Sequence, residues 1–283
     1  MVEPADLAGS GYALSRDTLL VRGADRKTWL DGLLTCAVTT VAPGTAVYGL
    51  LLTKQGKIVT DAFLADSGSE LLLGVAPGRG AAVRELLDRY LVMEDAELEP
   101  ASMPLFWRLA SAPAPAGNAS VIAEGGLVLG GLSARLCVTD EAPAGLADAT
   151  ELFAEHGLGV FGIDFDERSN PHEASLDRIA VSWTKGCYLG QEVVCMQDMR
   201  GKVKRRLVAL DGSAALLDAA AAPQKDVLGA DGSVAGQVSS VHRAPGGARV
   251  LASISTSALE SQAELSFLGE PLRVAFGATT NLS

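Results

Sequence analysis

Cysteine and histidine are scarce in this 283-residue chain, with four of the first and three of the second. Cys36, Cys137, Cys187 and Cys195 form no CxxC pair, and His156, His172 and His242 lie away from them in sequence. Neither a disulfide framework nor a self-contained zinc site is indicated. With seven residues between them, Cys187 and Cys195 make only a weak case for sharing an external iron or cluster. Long apolar runs are missing too. No window offers the ~18 consecutive apolar residues of a membrane span, and Met1 to Asp6 lacks the positive region and apolar run of a secretory signal. A soluble, cytoplasmic protein is expected. Positive charge is in deficit, with 23 Lys and Arg against 34 Asp and Glu, a net charge of -11. Such a field repels nucleic acid and anionic membrane over most of the surface, so neither is expected as a partner. Nothing in the sequence requires more than a monomer.

What the chain has in plenty is apolar material, 48% of its residues, enough for a real core. Its length exceeds that at which single cores stop growing, so two or three domains are expected. Thr18 to Val21 reads as a strand, and Asp25 stands where it would cap a helix with an apolar stripe of Trp29, Leu30, Leu33 and Leu34. Ala46 to Leu52 and Lys57 to Ala65 flank Lys54-Gln55-Gly56 as a hairpin. Glu70 to Val75 is a further strand, Val83, Leu86, Leu87, Tyr90 and Leu91 mark one face of a helix, and Glu94 to Glu99 is strand-like. An antiparallel sheet with two helices follows from this order. Beyond it, Met103 to Ala110 reads as a strand, Ser111 to Gly117 as a loop, and short apolar runs at Val121-Ile122, Leu127 to Leu129 and Leu136 to Val138 as a second sheet, with a helix at Ala149 to His156. From Val203 to Phe276, short β pieces separated by Gly, Asp and Pro read as a barrel or sandwich, with Ala214 to Ala222 as a surface excursion.

Four clusters carry candidate chemistry. In Lys185-Gly186-Cys187-Tyr188-Leu189-Gly190-Gln191-Glu192, a cysteine stands two residues from a lysine between glycines. A nearby ammonium favours the thiolate, which is both nucleophile and metal ligand. The competing reading is a small buried apolar residue beside a turn. Asp61 sits in Ile58 to Leu64, a strand apolar on both faces, where an ionised carboxylate needs a partner or a ligand unless it faces solvent at the strand's end. Glu173 follows Pro171 at the edge of the polar loop Gly162 to His172, placed to accept paired N–H donors from a heterocycle, although such loops are commonly plain solvated surface. Finally, alternation along a strand would set Arg200, Lys202, Lys204 and Arg206 on one face, a strip suited to carboxylates or phosphates.

Together these motifs make the chain resemble the YgfZ-type folate-binding proteins, relatives of the glycine-cleavage T-protein, an aminomethyltransferase. The Lys185 to Glu192 stretch is similar to the YgfZ signature; Gly23 to Leu30 resembles the family's first helix, Gly56 to Asp61 its second hairpin, Phe161 to Ala174 the segment before the folate contact, Arg200 to Leu207 the basic stretch after the signature, and Ala235 to Ser240 a motif of the last domain. The resemblance implies an α+β, three-domain cloverleaf around a central channel: a ferredoxin-like domain at 1–100, a second at 101–200 ending in the signature, and a β barrel at 201–283. It implies tetrahydrofolate, or a one-carbon-substituted folate, as cofactor. Asp61 matches the T-protein's catalytic aspartate and Glu173 the glutamate that holds the pterin. Cys187 matches a cysteine tied to iron–sulfur cluster assembly or repair, with Lys185 tuning it, and Tyr188, Gln191 and Arg200 complete the expected folate set. Iron–sulfur client proteins are the implied partners.

The chain departs from the family pattern at Thr35-Cys36-Ala37-Val38, where an Asn-Asp pair is common, and at Phe153, where arginine is usual. Three functions therefore stand side by side: a folate-binding accessory protein with Cys187 as its reacting group, an aminomethyl or methyl transferase using Asp61, and a non-catalytic binding module.

Overall fold

The structure is a computed structural model that describes residues 11–110, 120–142, 145–201, 203–219 and 221–276. It falls into two compact units, Met1–Ala149 with Arg178–Gln191, and Thr150–Asp177 with Glu192–Ser283. Among the described residues no helix is long and apolar enough to cross a membrane. The expected loop at Ser111 to Gly117 lies outside the described residues.

The first unit is built on β1 (Tyr12–Leu14), β2 (Asp17–Arg22), α1 (Arg26–Asp31), β3 (Gly44–Leu52), β4 (Ile58–Asp66), β5 (Leu71–Val75), α2 (Gly80–Asp88), β6 (Glu97–Pro100), β7 (Phe106–Ala110), β8 (Val121–Leu129), β9 (Leu132–Thr139) and β10 (Ala147–Asp148). Its ten strands form one sheet in the order β10-β1-β7-β9-β8-β3-β4-β5-β2-β6. The two halves of the sheet meet where β3 pairs in parallel with β8 over Gly44 with Gly125 and Thr45 with Gly126. They are interleaved in sequence, since β1 lies between β7 and β10.

Local chemistry explains the elements that carry the site. The β3–β4 hairpin closes through Thr53 and Lys57, with Gly56 at φ +72° in its turn, a conformation that glycine adopts without steric cost. Asp25 does begin α1, but its carboxylate accepts the amide of Asp95 at 2.9 Å instead of capping the helix. Asp25 thereby ties α1 to the segment that precedes β6. Trp107 of β7 is buried, donates its indole N–H to Thr18 of β2 at 2.8 Å, and lies against Gly74 of β5. One aromatic side chain thus joins strands from both halves of the sheet.

The second unit takes in α3 (Ala149–Glu155) from Thr150 and α4 (Gln191–Arg200) from Glu192, followed by β11 (Arg205–Gly212), β12 (Asp226–Gly229), β13 (Val234–Ala244), β14 (Gly247–Ser255), α5 (Thr256–Glu260), β15 (Leu265–Phe267) and β16 (Glu270–Phe276). The six strands close as β11-β14-β13-β12-β15-β16 around Leu210, Val250, Ile254 and Phe267. The alanine-rich segment is not wholly a surface excursion. Its 3₁₀ turn at Ala214–Leu217 sends Leu216 into this core.

The basic strip expected on one strand face is not formed. Arg200 ends α4, Gly201 follows at φ +59°, and β11 begins only at Arg205, while Lys202 lies outside the described residues. A helix closed by a left-handed glycine took the place of the alternation.

A methyl group added at Gly74 would stand 2.8 to 3.0 Å from the Trp107 ring. Overpacking of this kind typically costs about 1–3 kcal/mol. Gly74→Ala is therefore expected to lower the unfolding free energy by that amount, seen as a lower denaturant midpoint at unchanged slope in urea unfolding followed by tryptophan fluorescence.

Candidate functional site

Asp61, Lys185, Cys187, Tyr188 and Gln191 belong to the first unit, and Glu173 and Arg200 to the second. Each unit therefore has its own part of the predicted set.

In the first unit the signature segment lies over the chain that follows α1. Lys185 Nζ donates to the carbonyls of Asp31, Leu34 at 2.9 Å and Cys36 at 2.8 Å, and stands 3.3 Å from the Asp31 carboxylate. Those three carbonyls match the three N–H donors of an ammonium. Its side chain is 4% exposed. Burial holds the Lys185 pKa below its usual value, with the Asp31 charge working against that shift. The Lys185 Nζ also lies 5.6 Å from the centre of the Tyr188 ring, which is buried. Leu189 N donates to Gly32 O and Ser182 N to Thr35 O, so the loop is held at several points. Lys185, expected to tune Cys187, spends its donors on the end of α1.

The result is a fixed loop with Cys187 exposed on it, while Cys36 and Cys137 are buried. Burial pushes the Cys36 thiol up to about 12, against the opposing charge of Lys185, and raises that of Cys137 as well. The two signature glycines differ in kind. Gly190 has φ +82°, and a Cβ there would lie 2.5 Å from the carbonyl of Thr53 in the β3–β4 turn, whereas one at Gly186 meets nothing within 4 Å. Gln191 is half-buried at the start of α4.

Asp61, on β4, is fully engaged. Its Oδ1 accepts from Arg16 at 2.6 Å and its Oδ2 lies 3.4 Å from the Tyr48 hydroxyl. The side chains of Arg16 and Asp61 are 5% and 3% exposed, and the guanidinium stacks over Phe63 at 4.6 Å. Burial, and then the Asp61 charge, raise the Tyr48 phenol well above its usual value, which keeps it a neutral donor. A cavity of 740 Å³ borders Arg16, Asp17, Gly80, Arg84, Pro100 and Leu105; none of the sequence-predicted residues is among its described lining.

In the second unit Glu173 lines a cavity of 480 Å³ with Asp164, Arg168, Arg205, Ser239 and Ser253. That is within the range of small-molecule sites, about 300–1,000 Å³. Glu173 is fixed by exchange with Asn170, whose amide donates to Glu173 Oε2 at 3.0 Å and whose side-chain oxygen accepts the Glu173 amide at 2.9 Å. Asp164 takes bonds from both Ser239 and Ser240 of β13, which holds the loop onto the barrel. Arg200 is exposed at the end of α4.

Sequence reasoning missed Arg16 and Asp31, the ions that partner Asp61 and Lys185 from 45 and 154 residues away. A buried carboxylate demands a cation, but nothing in Ser15-Arg16-Asp17 announces which one.

No family model matches the sequence, and no curated protein matches it. Among solved structures, the glycine cleavage system aminomethyltransferase T from Bartonella henselae is similar, with a TM-score of 0.71 and 14% identity over 94% of this chain and 85% of that one. The chain therefore shares the fold of that protein.

Two outcomes test the loop geometry. Alkylation with iodoacetamide at pH 8, read by mass spectrometry, is expected to modify Cys187 in the native protein and to spare Cys36 and Cys137 until the chain is unfolded. Gly190→Ala, which combines a close backbone contact with a left-handed φ, should lower stability by roughly 1–3 kcal/mol in urea unfolding while Gly186→Ala stays within about 1 kcal/mol of the parent.

Proposed function

We propose that this chain is a tetrahydrofolate-binding accessory protein of the YgfZ type that supports iron–sulfur enzymes, with Cys187 as its reacting group. The observation that carries this reading is the contrast between two candidate groups of the first unit. Cys187 is exposed on a tied loop, whereas the Asp61 carboxylate is buried with its oxygens taken up by Arg16 and Tyr48. A general base must come within hydrogen-bond reach of the proton it removes, and the Asp61 side chain is 3% exposed with its oxygens engaged by Arg16 and Tyr48. In this reading Asp61 is a scaffold residue, and Lys185 is a positioning residue that holds the loop bearing Cys187.

The shared fold with an aminomethyltransferase supports a folate-related role, and the residues around Glu173 fit such a ligand. Their cavity has the volume for a pterin and part of its tail, a fixed carboxylate to accept ring N–H groups, and hydroxyls and guanidinium groups on its walls. Bound tetrahydrofolate supplies a reduced pterin able to carry a one-carbon unit. Arg200, of the same unit as Glu173, belongs to the folate set in this proposal, and iron–sulfur proteins are its clients.

Anaerobic calorimetry with tetrahydrofolate is expected to give saturable binding that Glu173→Ala weakens at least tenfold, or about 1.4 kcal/mol. A wild-type protein with no detectable affinity would sink the ligand assignment. In a cell whose iron–sulfur enzymes depend on this protein, Cys187→Ser should abolish function and Asp61→Asn should reduce it only as far as it lowers the amount of folded protein. The opposite pattern favours the transferase.

A further inference from the structure

Three residues that the folate reading does not use come together in the second unit. His172, Asp177 and Asp198 each place a potential ligand atom within 4.8 Å of the other two. His172 and Asp177 are 1% and 2% exposed. They come from one tight turn, in which Ala174 N donates to Asn170 O, Leu176 N to Pro171 O, and Ser175 adopts φ +56°. The Ser175 hydroxyl donates to Leu207 O on β11 at 2.7 Å, fixing the turn to the barrel. Asp198 arrives from α4.

The spacing is informative. His172 Nε2 and Asp198 Oδ1 are 3.6 Å apart, beyond the roughly 2.7–3.2 Å of an N–H···O hydrogen bond. Two ligands of one tetrahedral zinc, each about 2.0–2.1 Å from the ion, stand about 3.4 Å from each other. All three ligand atoms lie within 4.8 Å of one another, and the Asp198 side chain is 30% exposed, which gives an ion a route from solvent. Arg206 donates to Asp177 Oδ1 at 3.1 Å, the kind of outer contact that orients a ligating carboxylate. One imidazole nitrogen and two carboxylate oxygens make a donor set that suits zinc or ferrous iron better than magnesium or calcium.

We infer that His172, Asp177 and Asp198 form a binding site for one first-row divalent transition-metal ion of the zinc class, with its remaining position open to water. The rival account is an ion cluster around a protonated His172, with no metal.

The test uses the full chain carrying Cys187→Ser and Cys195→Ser, so that the two accessible thiols do not compete, after metal removal with a chelator. Titration with Zn²⁺ by calorimetry should give one equivalent, and Co²⁺ should give visible absorption without a thiolate charge-transfer band. Adding Asp198→Asn or His172→Gln should weaken Zn²⁺ binding by ~100-fold, the upper end of what even outer-shell changes cost. Saturating Zn²⁺ should raise the melting temperature of the parent and not that of the Asp198→Asn variant. Should His172→Gln fail to fold, the partly exposed Asp198 decides the matter alone. Absence of a saturable equivalent in the parent, or undiminished affinity in a folded Asp198→Asn variant, overturns the site and leaves the ion cluster.

Discussion

The arrangement around Cys187 depends on one buried ammonium. Removing Lys185 from water costs several kcal/mol unless its donors find partners, and the partners it finds are the backbone carbonyls of Asp31, Leu34 and Cys36. Asp31 is the last residue of α1, and a carbonyl at the end of a helix lacks an intrahelical donor and carries a partial negative charge, while Leu34 and Cys36 lie in the chain just beyond it. Six residues are too few for α1 to hold on its own. The lysine therefore serves α1 as a cap supplied from the far part of the sequence, and α1 serves the signature as an anchor. Because the demand of the charge is met only in this arrangement, the loop has one position, and the thiol two residues on has one too.

Much of the scaffold was legible, because it rests on local rules. The strands Asp17–Arg22, Leu71–Val75 and Arg205–Gly212 follow from runs of apolar residues, and the hairpin at Gly56 from its turn glycine. Cys187 could be singled out but not placed, since exposure depends on neighbours distant in sequence. Asp61 shows the limit clearly. That a carboxylate in an apolar strand needs a partner is elementary, but whether the partner is Arg16 or a ligand is decided by the fold. The basic run failed for a related reason: period-two spacing of charges says nothing of whether the backbone is a strand, and a left-handed glycine at 201 settled it otherwise. His172 looked like a loop residue and is buried, because Ser175 folds the turn back on itself and onto β11.

Two of the ion pairs of the first unit hold its candidate groups. Arg16 engages the Asp61 carboxylate and secures the β1–β2 turn to β4, while Asp31 helps Lys185 hold a loop that leaves a thiol in solvent. Chains of the same fold can thus differ in reactivity through which polar side chain is left exposed, with little change in the sheet beneath.

The chain passes out of the first unit after Ala149 and returns to it at Arg178. The contact between Lys185 and Asp31 spans 154 residues. During synthesis α1 and the sheet around it are made long before their cap, and the carbonyls that Lys185 will bond remain hydrated until the ribosome has moved well past residue 185. Closing so wide a loop is slow relative to local pairing. The thiol is therefore set in its final place only after the chain has been made past residue 185, long after α1 and the sheet around it.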